Sequence, residues 1–120
     1  MILSFDELPE KVIPRFHGGE KEARARAFAD SRNRIMLGTL VPGASIGPHR
    51  HETNSEIVYI ISGTGTAWMD GGTEPLRPGV CHYCPMGHAH SLINDSQGDL
   101  CFFAVVPEHG VTDSTSFVSP

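Results

Sequence analysis

The feature that most constrains this chain is a series of short β-branched and aromatic runs, each bounded by glycine, proline or other turn residues. Such runs predict β-strands. The turn Asp70-Gly71-Gly72 additionally predicts a hairpin after the fourth run. Turn signals about 8–12 residues apart are typical of an all-β sandwich or closed barrel. The predicted strands cover residues 35–41, 49–51, 56–61, 64–69, 80–84, 89–93 and 100–106.

Residues 21–28 fit either a helix or a strand. Alanine and arginine favour a helix by propensity, whereas the alternation of small and charged residues favours a strand. We favour the strand, because Gly18-Gly19 precedes it and a polar turn follows it. We expect one domain over residues 1–120, in which 1–20 form an extended arm ending in a turn, 35–107 a barrel and 108–120 a Ser/Thr-rich tail.

Composition narrows the range of partners and locations. The chain has 14 acidic and 9 basic residues, a formal charge of −5, which argues against binding to nucleic acid or to an anionic membrane. Residues 1–7 have neither the basic nor the apolar segment of a signal peptide. No apolar run approaches the roughly 20 residues that span a bilayer. We therefore expect a cytoplasmic protein.

Two histidines and a glutamate suggest a metal site. His49 and His51 are separated by one residue of a predicted strand, so they share a face with Cα atoms about 6.6 Å apart, and two imidazoles at that spacing can reach one ion. Glu56 opens the next strand after a four-residue turn. Imidazoles with a carboxylate suit Zn, Fe, Ni or Mn rather than Ca or Mg. By itself, however, such a histidine pair is often only a surface feature, and the glutamate only a solvated edge residue.

Two gapped patterns extend this interpretation. The first runs Gly43, five residues, His49, one, His51, four, Glu56, six, Gly63. The second runs Gly79, five residues, Pro85, one, Gly87, two, His90, three, Asn94. Together they resemble the two conserved motifs of the cupin superfamily, here in its small single-domain (cupin_2) form. The departure at Val80, where many cupins have aspartate, does not affect a ligand position.

The resemblance implies a fold and a metal site. The fold is an all-β jelly-roll barrel, the cupin double-stranded β-helix. The metal is one divalent transition ion (Fe, Mn, Ni or Zn) inside the open end of the barrel. The implied ligands are His49, His51, Glu56 and His90.

The resemblance leaves the activity open. One hypothesis is a small-molecule enzyme that acts as a dioxygenase, isomerase or decarboxylase, in which Glu56 leaves the metal to serve as a general base. The alternative is metal-dependent binding or sensing of a small ligand, and a third is a metal that only braces the barrel. Apolar walls are expected from Val58, Ile60, Leu92 and either Met36 or Leu40. Few charged residues are expected to face inward, which disfavours a large phosphorylated substrate.

Several further residues are candidates for the site. His82 and Cys84 occupy positions that are usually apolar and face the barrel in the family. His82 is therefore either a group that contacts a metal ligand or the substrate, or a core histidine with a hydrogen-bond partner. His88 shares a strand face with His90, and we interpret it as a residue at the mouth of the site rather than a fifth ligand. Tyr59 is a packing or interface aromatic, or a residue that contacts a metal ligand or the substrate.

The remaining predictions concern packing and assembly. Cys81 and Cys84 point to opposite faces of a strand, so we expect two packed thiols rather than a metal or disulfide pair. Asn94 is expected to brace a turn. Arg24 and Arg26 alternate with alanines, a pattern that predicts an edge strand pairing with a partner subunit. Small cupins often dimerise in this way, so the resemblance implies a homodimer.

Overall fold

Two antiparallel sheets make up the part of the chain that the structure describes. A computed structural model describes residues 1–109. Its strands are β1 (Lys11–Pro14), β2 (Glu22–Ala29), β3 (Asn33–Leu40), β4 (Ser45–Arg50), β5 (Glu56–Ser62), β6 (Gly65–Met69), β7 (Gly72–Leu76), β8 (Cys81–Cys84), β9 (Ala89–Ile93) and β10 (Leu100–Pro107). Short 3₁₀ turns at Phe5–Glu7 and Phe16–Gly18 flank β1. Within the described range, no helix is long and apolar enough to cross a membrane.

The core lies between the two sheets. The larger sheet has the strand order β1-β2-β3-β10-β5-β8, and the smaller has the order β4-β9-β6-β7. Alternate residues of β3, β5 and β10 are buried, as expected for strands with one face toward a core. Val58 and Phe102 from the larger sheet join Ile46 and Leu92 from the smaller in one buried cluster. This arrangement confirms the predicted all-β jelly-roll barrel.

Most predicted strands are confirmed within one or two residues at each end, including β2 at the ambiguous segment. The exception is β4, which begins four residues before the predicted start. The predicted hairpin is also confirmed, because β6 pairs with β7 through a turn in which Asp70 and Gly71 both have positive φ. Asn94 braces a turn as expected: its Nδ2 donates to the Leu40 and Gly98 carbonyls, and its Oδ1 accepts from Ser96.

The prediction that the segment of Arg24 and Arg26 is an edge strand is wrong. β1, from the predicted N-terminal arm, pairs with Glu22–Ala25, so β1 forms that edge of the larger sheet. Both arginines instead make contacts within the chain: Arg24 pairs with Glu22, and Arg26 Nη1 donates to the Leu8 carbonyl. Of the predicted tail, residues 110–120 lie outside the described range, and Glu108 forms a β-bridge with Asn54.

Candidate metal centre

Four side chains converge between the two sheets. His49 lies near the end of β4 and faces His90 of β9 directly in the register of the smaller sheet. His51 follows β4, and Glu56 is the first residue of β5 in the larger sheet. A bulge between Ile46 and His49 shifts the β4 register just before the histidines. We call His49, His51, Glu56 and His90 the four-residue cluster.

The spacing within this cluster fits a single small ion. The Nε2 atom of His90 lies 3.1 Å from Nε2 of His49 and 3.1 Å from Nε2 of His51. Oε1 of Glu56 lies 2.9 Å from His90 Nε2, 3.2 Å from His51 Nε2 and 3.8 Å from His49 Nε2. Two ligand atoms about 2.1 Å from an ion and at right angles to one another are about 3.0 Å apart. The cluster can therefore hold one transition-metal ion.

Hydrogen bonds at Nδ1 of His49 and His51 leave Nε2 of each ring available to bind a metal. Nδ1 of His49 lies 2.7 Å from the Gly47 carbonyl, and Nδ1 of His51 lies 2.5 Å from Oδ1 of Asn54. Both partners are acceptors, so each Nδ1 carries the ring proton, and the Nε2 lone pair of the neutral ring faces the cluster. Preset tautomers of this kind are typical of metal-binding histidines.

Electrostatics within the cluster favour an ionised glutamate. Burial by itself would raise the pKa of Glu56. In the metal-free protein, however, a histidine of the cluster that is protonated at Nε2 donates to the carboxylate, and this interaction outweighs burial and holds the pKa of Glu56 well below the ordinary value. The hydrogen bond to Glu56 raises the pKa of His51 against the opposing effect of burial. Burial dominates at His90 and lowers its pKa. The cluster is therefore a negatively charged, nitrogen-rich site for a cation.

A cavity of about 460 Å³ opens onto one side of the cluster, and His49, His51 and Glu56 line it. Of the predicted apolar walls, only Met36 lines this cavity; Val58, Ile60, Leu92 and Leu40 belong to the core beneath it. The expectation of few inward charges is also wrong. Charged side chains line the wall at Asp30, Arg32, Arg34, Arg50, Glu52 and Glu108.

The other predicted site residues differ in their positions. His82 is 2% exposed and its Nε2 lies 2.9 Å from Nδ1 of His90, so it contacts a residue of the cluster and does not line the cavity. His88 does not line the cavity either, because its ring turns to Asp70 on the surface. Tyr59 is 46% exposed on the outer face of β5, so the interpretation of Tyr59 as a substrate contact is wrong.

His17 also belongs to this site, although it carries no motif and was not predicted to lie there. Its ring stacks on that of His49 with centroids 4.0 Å apart, and it lines the cavity. His17 has a positive φ of 52°, an uncommon conformation for a residue other than glycine. The backbone of His17 packs so closely on Gly47 that a Cβ there would lie 2.1 Å from the His17 carbonyl oxygen. This contact between segments 30 residues apart has no local sequence signal.

Comparisons with known proteins agree with the fold. Residues 36–106 match the family model described as Cupin domain. The chain is 32% identical over 119 residues to an oxalate-binding protein of Thermotoga maritima, covering 88% of this chain and 93% of that protein.

Solved structures show the same similarity. A predicted oxalate decarboxylase of Thermotoga maritima superposes with a TM-score of 0.85 at 29% identity, covering 90% of this chain and 99% of that one. A Cupin 2 conserved barrel domain protein of Salinispora arenicola has the same fold, with a TM-score of 0.71 at 21% identity over 90% of this chain and 88% of that one. With the family model matched across its barrel and both motifs complete, this chain belongs to the cupin family.

Proposed function

We propose that this protein binds one divalent transition-metal ion through the four-residue cluster and holds a small dicarboxylate such as oxalate beside it. The observation that carries the proposal is the convergence of three histidine Nε2 atoms and Glu56 Oε1, all within 4.8 Å of one another. Three imidazoles and one carboxylate suit Fe, Mn, Ni or Zn, and do not suit the oxygen-seeking ions Ca and Mg. Such an ion would act as a Lewis acid toward carboxylate oxygens.

Two observations support a small anionic ligand. The similar protein of Thermotoga maritima is named for binding oxalate, and the similarity covers most of both chains. In addition, the cavity wall carries Arg34, which forms no ion pair with any residue in the range 1–109. The wall carboxylates of Asp30 and Glu108 already accept hydrogen bonds, from backbone amides at Arg32 and Asn33 and from Thr53 and Asn54 respectively. An arginine without a carboxylate partner suits a ligand carboxylate.

Decarboxylation of oxalate is the second candidate. It would break the C–C bond, release CO₂ and leave formate after protonation. The 29% identity to a predicted oxalate decarboxylase over 90% of this chain favours it. Glu52 and His17, which both line the cavity, are groups able to carry the proton.

Metal analysis combined with calorimetry tests this function. We expect the wild-type protein to take up about one equivalent of metal, and the metal-loaded form to bind oxalate while the metal-free form does not. Because His90 is completely buried and supplies one of the converging Nε2 atoms, His90→Ala should lose both metal and oxalate binding. Circular dichroism checks that the variant keeps its β fold.

Two controls make the result decisive. Oxalate itself chelates metals, so the metal content is measured again after gel filtration, and acetate serves as the monocarboxylate control. Oxalate binding of equal strength with and without metal, or full metal occupancy in His90→Ala, would contradict the proposal. Release of CO₂ and formate from oxalate distinguishes the enzyme from the binding protein.

We further propose that the protein is a homodimer formed through the outer face of β5 and β8. Ile57, Tyr59 and Ile61 project from β5 with exposures of 39%, 46% and 46%, and Tyr83 of β8, opposite Ile57 in register, is 52% exposed. Contiguous apolar residues of this kind mark interaction surfaces. A second copy offers the same patch, which suits a twofold interface.

A further inference from the structure

A buried hydrogen-bond chain connects the protein surface to the back of His90. Oε1 of Glu74 in β7 lies 2.5 Å from Nδ1 of His82 in β8, and Nε2 of His82 lies 2.9 Å from Nδ1 of His90 in β9. His82 is 2% exposed and His90 is 0% exposed, whereas the Glu74 side chain is 52% exposed. The chain therefore crosses from one sheet to the other and back.

The direction of each hydrogen bond in this chain follows from proton counting. An ionised carboxylate can only accept, so Nδ1 of His82 donates to Glu74. The neutral ring of His82 has no second proton, so its Nε2 is an acceptor and can receive the Nδ1–H of His90. The one remaining lone pair of His90 is then on Nε2, the atom that faces Glu56 and the other histidines.

His90 differs from the other two histidines of the cluster in the source of the hydrogen-bond acceptor for its Nδ1–H. His49 and His51 donate to Gly47 and Asn54, which are two and three residues away in sequence. His90 is fully buried, and the acceptor for its Nδ1–H is Nε2 of His82 on the opposite sheet. An imidazole that binds a metal through Nε2 keeps its proton on Nδ1, and a buried donor without an acceptor is costly.

We propose that His82 and Glu74 are positioning residues that fix the ring proton and orientation of His90 for metal binding. This inference rests on the proposed function, because it concerns how the same site holds its ion. Glu74 fixes the proton on the far nitrogen of His82, and His82 thereby presents a lone pair to His90. Outer partners of metal-binding histidines typically change metal affinity by about 10- to 100-fold when they are removed.

Zinc titrations of a matched set of variants test the proposal. His82→Leu removes the acceptor, so we expect zinc affinity about 10- to 100-fold weaker than in the wild type. In His82→Gln the side-chain oxygen can occupy the position of Nε2 and accept from His90, so its affinity should stay within several-fold of the wild type. His88→Leu is the control, because His88 contacts Asp70 and makes no side-chain contact with the cluster.

A second pair of variants avoids any change to the core. Glu74 is half exposed, so Glu74→Leu and Glu74→Gln should both fold normally. Glutamine still offers an oxygen to His82, whereas leucine does not. We expect Glu74→Leu to bind zinc several-fold more weakly than Glu74→Gln.

An NMR signature distinguishes positioning from simple packing. In the zinc-loaded wild type, the Nδ1–H proton of His90 should be hydrogen-bonded and slow to exchange, and it should stay so in His82→Gln but not in His82→Leu. Equal losses of affinity in the leucine and glutamine variants, or no loss in either, would overturn the inference. A wild-type protein that takes up no zinc would overturn the metal site itself, and so the two failures are distinguishable.

Discussion

The three cysteine thiols illustrate how one residue type behaves differently within this fold. Burial, aided by the charges of Glu56 and Asp70, raises the pKa of Cys84 to about 11. Cys81, three residues earlier in the same strand, is exposed, and Cys101 is half-buried. The prediction that Cys81 and Cys84 face opposite sides of a strand is confirmed, but the prediction that both are packed is wrong for Cys81.

We expect Cys84 to resist alkylation in the folded protein. The thiolate is the reactive form, and at pH 8 a thiol of pKa about 11 is ionised in about one molecule in a thousand. Iodoacetamide at pH 8 followed by peptide mass spectrometry should leave Cys84 unmodified, while the same treatment in guanidinium chloride should modify it. Equal modification of Cys84 in the two conditions would contradict the burial of this residue.

The sequence predicts the residues of the cluster better than the residues that support them. The four positions were identifiable because the two motifs place each at a fixed distance from a turn glycine. The hydrogen bond from His51 to Asn54 could also have been predicted, because Asn54 lies in the turn between His51 and Glu56. The role of Glu74 could not have been predicted, because its contact with His82 depends on how β7 and β8 face each other across the barrel.

At the level of elements, the segment 16–19 behaves as part of the site. It joins β1 to β2, and its backbone packs against β4 where Gly19 and Gly47 come into close contact. Through this contact it holds the ring of His17 on His49. The sequence predicted a turn here from Gly18-Gly19, but a turn signal does not say which strand the turn packs on.

Substituting the glycine under this segment should displace it. A Cβ at Gly47 would meet the His17 carbonyl oxygen at 2.1 Å, a backbone atom that cannot rotate away. We expect Gly47→Ala to destabilise the protein by about 1–3 kcal/mol, as overpacking does, and to weaken oxalate binding because His17 leaves the cavity wall. Thermal unfolding and calorimetry measure these two effects.

Gly98→Ala is the matched control for this substitution. A Cβ at Gly98 meets no atom within 4 Å and the residue has no positive φ, so the change should be close to neutral. Comparable destabilisation by both substitutions would show that the contact between segment 16–19 and β4 contributes nothing specific.

At the level of the whole molecule, the outer surface of the larger sheet is covered unevenly. The turn at Phe5–Glu7 shields part of β10, where the ring of Phe5 meets that of Phe103 edge-on with centroids 6.1 Å apart. The neighbouring strands β5 and β8 keep their apolar residues exposed. The dimer proposed above would cover this surface, and neither strand motif nor composition indicates which face it uses.

A charge on this surface should separate the subunits. We expect Tyr59→Glu to sediment as a monomer of 13.0 kDa, with the wild type at about twice that mass. Cys81, opposite Tyr59 in register, should then react faster with iodoacetamide than it does in the wild type. Val12→Glu, an exposed position on the opposite edge strand, should remain dimeric, and a monomeric wild type would exclude the interface.

The register that places His49 opposite His90 also has a consequence for folding kinetics. These residues are 41 positions apart in the chain, and they meet only after β4 and β9 have paired. Glu56 must then be brought against them by the other sheet, so no local fragment can assemble the site early. Interactions that form after the folding barrier slow unfolding and leave refolding almost unchanged. We therefore expect a bound ion to lower the unfolding rate of the barrel and to leave its folding rate almost unchanged.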